Sequence, residues 1–195
     1  MKSSSAGFSL VEVMVALVVI SVGMLGIAKL NALMLSNTST SRVRALVAQE
    51  AASLADSMHA DRDFWNGSSA DWVASTGPLS VSVTENAGTT TLGASGSATL
   101  TAGLGASPGC EQGGGAAPCS SVNMAAYDLT QWAQALSGVL KNYTSDIDCA
   151  SVSNIVTCTV NVQWQENTVA ANSQEGSSGP PAAFQNQSYQ LVIEP

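Results

Sequence analysis

Few residues in this chain have the side-chain types and the spacing needed for catalysis, metal binding or disulfide formation. The four cysteines are the clearest candidates. Cys110 and Cys119 enclose eight residues, as do Cys149 and Cys158. Structural zinc sites favour ligands two to four residues apart, so a zinc site is not expected. An even number of cysteines indicates disulfides in an oxidising compartment. Four cysteines allow three pairings, and the sequential pairing closes two small loops. In that pairing the bridge from Cys149 to Cys158 would contribute about 2 to 3 kcal/mol.

The remaining titratable residues do not match the pattern of a catalytic site or of a metal site. His59 is the single histidine, and no Ser or Cys in a nucleophile motif lies near it in the sequence, so we expect a solvated side chain near a helix end. Asp128, Asp146 and Asp148 lack the ligand alternation and the glycine of a calcium loop. The sequence therefore predicts neither a catalytic residue nor a metal site nor a cofactor, and it does not indicate an enzyme.

Charge is distributed unevenly along the chain. Five of the six Lys and Arg residues fall within the first 62 positions, which leaves Lys141 against ten acidic residues from Asp63 onward. Such an acidic domain repels a phosphate backbone, so direct binding of nucleic acid is not expected.

An apolar segment opens the chain. Residues 13–28 contain no charged side chain, and from Phe8 onward only Glu12 interrupts the apolar run. Twenty-one helical residues span about 31 Å, close to the hydrocarbon thickness of a bilayer. A cleavable secretory signal needs a small-residue site that is missing after the run. A plain signal anchor leaves Glu12 unexplained, because a carboxylate at the centre of such a helix costs about 2.5 to 3.5 kcal/mol.

The string Gly7-Phe8-Ser9-Leu10-Val11-Glu12-Val13 resembles the class III signal of type IV pilins and of type II secretion pseudopilins. The resemblance implies that a prepilin peptidase cleaves after Gly7 and methylates Phe8, and that the apolar helix stays on the mature protein. It also implies that Glu12 pairs with the N-terminal amine of a neighbouring subunit, or with its own, in a filament.

The elements around these residues follow from periodicity. Apolar residues continue at helical spacing to Met58, and Asn66-Gly67 marks the end of the long helix. The class III resemblance implies a leader at 1–7 and a filament core, and with the periodicity we predict a long helix at 8–62, with 8–28 in the membrane or filament core, and a globular domain at 63–195.

Within that domain, segments in which apolar and polar residues alternate predict strands. One segment with apolar residues at helical spacing predicts a single further helix. The helix covers Asn123 to Leu140 with Asn123 as its N-cap, and Trp132 and Trp164 are expected in the core. Residues 105–118 and 172–183 are rich in Gly, Ser and Pro and are expected to form loops. The predicted fold class is α+β and pilin-like, with strands at 79–84, 98–104, 155–164 and 189–194.

The end of the long helix, Ala55 to Arg62, also resembles PilV-type minor pilins, as do two parts of the domain, Cys119 to Trp132 and Val162-Gln163-Trp164. This resemblance implies a minor pilin that helps to prime type IV pilus assembly near the tip and supports twitching and adhesion. The implied partners are the prepilin peptidase, other minor pilins, the major pilin and the inner-membrane assembly platform. A minor pseudopilin of type II secretion and a membrane-anchored periplasmic binding domain are the alternatives.

The implied location is the bacterial inner membrane, with the C-terminal domain in the periplasm, and then the pilus surface. The cations do not favour this orientation by themselves, because Lys2 precedes the apolar segment while Lys29, Arg42 and Arg44 follow it.

Overall fold

A computed structural model describes residues 9–74, 76–105, 110, 119–153, 155–167 and 184–195. Its first element is the helix α1, Leu10–Ala60, of 51 residues. The helix continues through the Ser-rich and Thr-rich stretch at 36–41, where the Thr38 hydroxyl donates to the Met34 carbonyl at 2.8 Å. That bond satisfies the hydroxyl within the helix itself. The sequence predicted that the helix would reach residue 62, but α1 ends at Ala60 and a short helix, α2, covers Arg62–Trp65.

The chain divides into two compact units. Of the described residues, the first unit contains 9–41, at the start of α1. The second contains the described residues from Arg42 onward, so it begins inside α1. The last turns of α1 thus belong to the same compact unit as the sheet.

The second unit is built on one antiparallel sheet of five strands, in the order β2-β1-β3-β4-β5. Short connections join β1 to β2 and β3 to β4, so both pairs are hairpins, while two helices separate β2 from β3. The strands are β1 Leu79–Asn86, β2 Thr89–Ser95, β3 Thr144–Val152, β4 Ile155–Asn167 and β5 Phe184–Ile193, and the two helices are α3 Ala98–Gly103 and α4 Ser121–Val139.

One face of the sheet forms the core. The predicted strand at 155–164 and the predicted core position of Trp164 are confirmed, and alternate residues of β4 share one buried face: Val156, Cys158, Val160, Val162 and Trp164. Apolar residues at helical spacing on α1 and α4 are also buried in the core: Val47, Ala51, Leu54, Met58, Ala125, Leu129, Trp132 and Leu136.

A side-chain hydrogen bond joins α4 to α1. The indole Nε1 of Trp132 donates to the backbone carbonyl of Glu50 at 2.9 Å. A buried tryptophan needs such a partner for its N–H group, and here the partner is a helix carbonyl. The prediction that Trp132 lies in the core is confirmed.

The α+β fold class is confirmed, but two local predictions are wrong. Residues 98–104 were expected to form a strand, and instead Ala98–Gly103 is the helix α3. Gly96 adopts φ +93°, which ends β2, and the Ser97 hydroxyl then accepts a hydrogen bond from the Leu100 N–H at 3.1 Å. A left-handed glycine followed by a serine N-cap starts a helix in place of a strand.

The other local error is the N-cap of α4, and the number of helices also differs from the prediction. Ser120, and not Asn123, is the N-cap, because the Ser120 hydroxyl accepts from the Asn123 N–H. Asn123 itself lies in the first turn of α4. One further helix was expected after the long one, whereas the described residues contain three: α2, α3 and α4.

Candidate functional site

The first turn of α1 presents Glu12. Leu10 is the first helical residue, and the backbone N–H groups of Glu12 and Val13 donate to the Ser9 carbonyl at 3.0 and 3.3 Å. The positive end of the helix dipole favours a carboxylate at this position. Glu12 is exposed. Gly7 and Phe8, the predicted cleavage and methylation residues, lie outside the described residues.

The first half of α1 exposes an almost continuous apolar surface. Leu10–Asn31, 22 residues, is long and apolar enough to cross a membrane. A helix that is apolar on all sides needs lipid or other helices around it. The exposed large side chains are Leu10, Val11, Val13, Met14, Val15, Leu17, Val18, Val19, Ile20, Val22, Met24, Leu25, Ile27, Leu30, Met34 and Leu35.

The polar side chains of this apolar segment are placed as in a membrane-spanning helix. Those in the middle are satisfied within the helix, and the charged ones lie closer to its ends, where they can reach water. The Ser21 hydroxyl donates to the Leu17 carbonyl at 2.7 Å, which satisfies it within the helix. Lys29 is exposed and lies about 25 Å along the helix axis from Glu12, at about 1.5 Å per residue. One charged side chain therefore stands near each end of the apolar surface, and the long stem of Lys29 lets its amine reach water.

The cysteines pair sequentially. Cys149 bonds to Cys158, and Cys110 bonds to Cys119. Cys149 and Cys158 lie directly opposite each other on β3 and β4, with their Cα atoms 4.0 Å apart, and both are buried. The sequence left three pairings open, and it did not reveal that this bridge joins two strands, because β3 was not predicted. The second bridge closes the chain segment just before α4.

An ion pair that the sequence did not predict ties the last turns of α1 to β4. Nε and Nη2 of Arg44 donate to the two oxygens of Glu166 at 3.2 and 2.9 Å. The Trp164 indole also donates to Glu166, at 3.0 Å. Arg44 and Glu166 are 122 positions apart, so no local pattern could have revealed the pair. A two-pronged contact of this kind fixes geometry more firmly than a single bond.

Asp61, between α1 and α2, is a second carboxylate that sequence reasoning missed. Its Oδ2 atom is buried and has no hydrogen-bond partner. Burial, together with the nearby charges of Asp128 and Asp63, raises the pKa of Asp61 to about 6. Burial also raises the pKa of Asp128. Asp61 and Asp63 were visible in the sequence as acids two positions apart, but the partial burial of Asp61 was not.

The other residues considered from the sequence are dispersed. His59 is exposed, with its Nδ1 atom 2.6 Å from the Ala55 carbonyl oxygen. Asp146 and Asp148 lie on the exposed face of β3, where the Ser80 hydroxyl donates to Asp148 at 2.5 Å. Asp128 lies on α4. Among the described residues, no three His, Cys, Asp or Glu side chains are grouped so as to hold a metal ion.

Comparison with known proteins bears on the N-terminal segment. Residues 2–28 match the family model described as the prokaryotic N-terminal methylation motif. This motif indicates a protein like type IV pilins or pseudopilins, processed by a prepilin peptidase and anchored in the membrane by its apolar helix. No curated protein and no solved structure matches the chain.

Proposed function

We propose that this protein is a minor pilin, cleaved after Gly7, methylated at Phe8 and assembled through its apolar helix into a type IV pilus. The observation that carries the proposal is the methylation motif over residues 2–28, which includes the cleavage position and Glu12. The exposed apolar surface of α1 supports it, because this surface needs lipid before assembly and other helices afterwards.

The chemistry of the mature end explains the role proposed for Glu12. Cleavage creates an α-amino cation at Phe8, about one helical turn before Glu12. Both charges lie at the edge of an apolar segment, where each is stabilised by an opposite charge. When Glu12 pairs with the amine of a neighbouring subunit, the contact neutralises both groups and fixes the axial register of two helices.

A role as a minor subunit is supported by the globular domain. The stretches at Ala55 to Arg62 and Cys119 to Trp132 resemble those of PilV-type minor pilins. Two disulfides suit a domain that acts outside the cytoplasm. In this proposal the protein primes assembly near the pilus tip, together with other minor pilins, the major pilin and the inner-membrane assembly platform, and thereby supports twitching and adhesion.

Processing is tested by the intact mass and N-terminal sequence of the membrane-extracted chain, from hosts with and without a prepilin peptidase. We expect a mature chain that starts at methylated Phe8 only when the peptidase is present. A chain that keeps residues 1–7 in both hosts would contradict the proposal and leave a membrane-anchored domain.

Assembly is tested in the natural host by deleting the gene and by replacing Glu12→Gln. We expect fewer surface pili after deletion, and loss of the Glu12→Gln chain from sheared pili although its N-terminus is still processed. Glu50→Gln, the same change farther along α1, should leave incorporation unchanged. A deletion that leaves piliation intact but blocks protein secretion would overturn the pilus assignment in favour of a pseudopilin.

A further inference from the structure

The last strand of the sheet has one unpaired edge. β5 pairs with β4 along one side, in a continuous register from Cys158 opposite Ile193 to Asn167 opposite Phe184. Within the described part of the chain, no strand pairs with its other side. Such an edge presents a row of backbone N–H and C=O groups that can pair with another strand.

β5 lacks the features that usually protect an edge strand. Charged side chains, proline or a bulge normally discourage pairing with another chain. The ten residues of β5 include no charged residue and no proline, and their register with β4 shows no bulge. The opposite edge is different: β2 has seven residues, and the Thr101 hydroxyl of α3 donates to its Ala94 carbonyl at 3.0 Å. β5 is therefore the more available edge.

We propose that β5 pairs in antiparallel fashion with β5 of a second copy of this chain, with each Ser188 opposite its counterpart. The two five-stranded sheets then form one continuous sheet across a two-fold axis. Such a contact uses the same surface on both copies and closes on itself, so it produces dimers and not fibres. This inference goes beyond the proposed function and rests on the sheet alone.

The side chains of β5 select this register. Phe184 and Val192 are 57% and 61% exposed and lie at the two ends of the strand, whose outer face is otherwise polar. Pairing centred on Ser188 places Phe184 of each copy opposite Val192 of the other. A shift by one pair in either direction separates them and places Phe184 opposite Gln190 or Glu194. Apolar cross-strand pairs stabilise a sheet, so the centred register is favoured.

Charge also permits this contact. The chain carries a formal net charge of −8, which opposes the approach of two copies in general. The strand itself is neutral, and so are its exposed-face neighbours on β4, which are Thr159, Asn161, Gln163 and Gln165. The acidic residue nearest on the buried face, Glu166, already pairs with Arg44. The β5 edge is thus a surface where two acidic copies can meet without facing like charges.

The test uses the full chain in detergent micelles, with the mass of the protein component measured by light scattering over a range of concentrations. We expect a monomer–dimer equilibrium. Ser188→Lys places two ammonium groups opposite each other and should raise the dissociation constant by about tenfold or more. Ser82→Lys, the same change on the exposed face of β1 away from the edge, should leave it unchanged.

Opposite charges at the same position test the register. Ser188→Glu should also weaken self-association, whereas an equimolar mixture of differently tagged Ser188→Lys and Ser188→Glu chains should form a mixed dimer at least as stable as the unmodified one. A wild-type chain that stays monomeric, a dimer that survives Ser188→Lys, or a mixture that does not associate would each overturn the proposal. None of these outcomes depends on leader cleavage, so the proposed function is tested separately.

Discussion

Asp61 is a carboxylate whose ionisation lowers the stability of the fold. It occupies the N-cap position of α2, where an aspartate normally accepts a backbone hydrogen bond, yet its side chain caps nothing and its Oδ2 atom is buried. With its pKa raised to about 6 by burial and by Asp128 and Asp63, the folded state binds this proton more tightly than the unfolded state does. The stability linked to Asp61 is therefore complete below its unfolded pKa and is lost as the pH rises through about 6.

Replacing Asp61→Asn should consequently stabilise the protein at alkaline pH and have little effect in acid. After allowance for partial solvent exposure, we expect a gain of about 1 kcal/mol in the free energy of unfolding at about pH 8, and almost none at about pH 3, below the unfolded pKa. Urea unfolding followed by tryptophan fluorescence measures both values. Asp56→Asn, at an exposed site on α1, is the control and should show no such pH dependence. An equal effect of Asp61→Asn at both pH values would contradict this account of its ionisation.

At the scale of elements, the sequence predicted the helices and strands that have a clear apolar pattern. It missed those whose conformation depends on contacts with other parts of the fold. The alternation in β4 and the stripe on α4 were recognisable because each buries one full face. β2 and β3 were missed: β2 buries little, and β3 interleaves its buried residues with Asp146 and Asp148. Residues 98–104 alternate like a strand, but the helix there depends on the conformation of Gly96 and on the hydroxyl of Ser97.

The N-cap of α3 can be tested directly. Ser97 is buried and accepts the Leu100 N–H, so Ser97→Ala leaves that buried donor without a partner. We expect a loss of about 1 kcal/mol in the free energy of unfolding. The control is Ser95→Ala, an exposed position at the end of β2, where the change should be within about 0.5 kcal/mol. Chemical denaturation of the two variants provides the comparison, and equal stabilities would show that the cap does not hold α3.

For the molecule as a whole, the methylation motif that the family model matches over residues 2–28 was readable from the sequence because it consists of consecutive residues. Gly7, Phe8 and Glu12, to which we assign processing and assembly, lie in one short string, and the apolar run after them follows from composition alone. The Arg44–Glu166 pair and the exposed edge of β5 were not readable, since both arise only when distant segments meet in the sheet. The same holds for the start of the second compact unit at Arg42, which no change in composition marks.

Because the second compact unit begins at Arg42, we can predict how truncated chains exported to the periplasm will fold. A fragment beginning at Arg42 keeps the α1 side chains buried against the sheet domain, so we expect it to be monomeric or dimeric, water-soluble and cooperatively folded. A fragment beginning at Asp63 loses Val47, Leu54 and Met58 from the core. At about 2 kcal/mol for each large apolar side chain, this loss approaches the about 5 to 15 kcal/mol of stability typical of a domain. We expect that fragment to aggregate or to unfold without a sharp transition. Circular dichroism during heating and sedimentation velocity distinguish the two fragments, and a sharp, soluble transition for the shorter one would show that the sheet domain folds without α1.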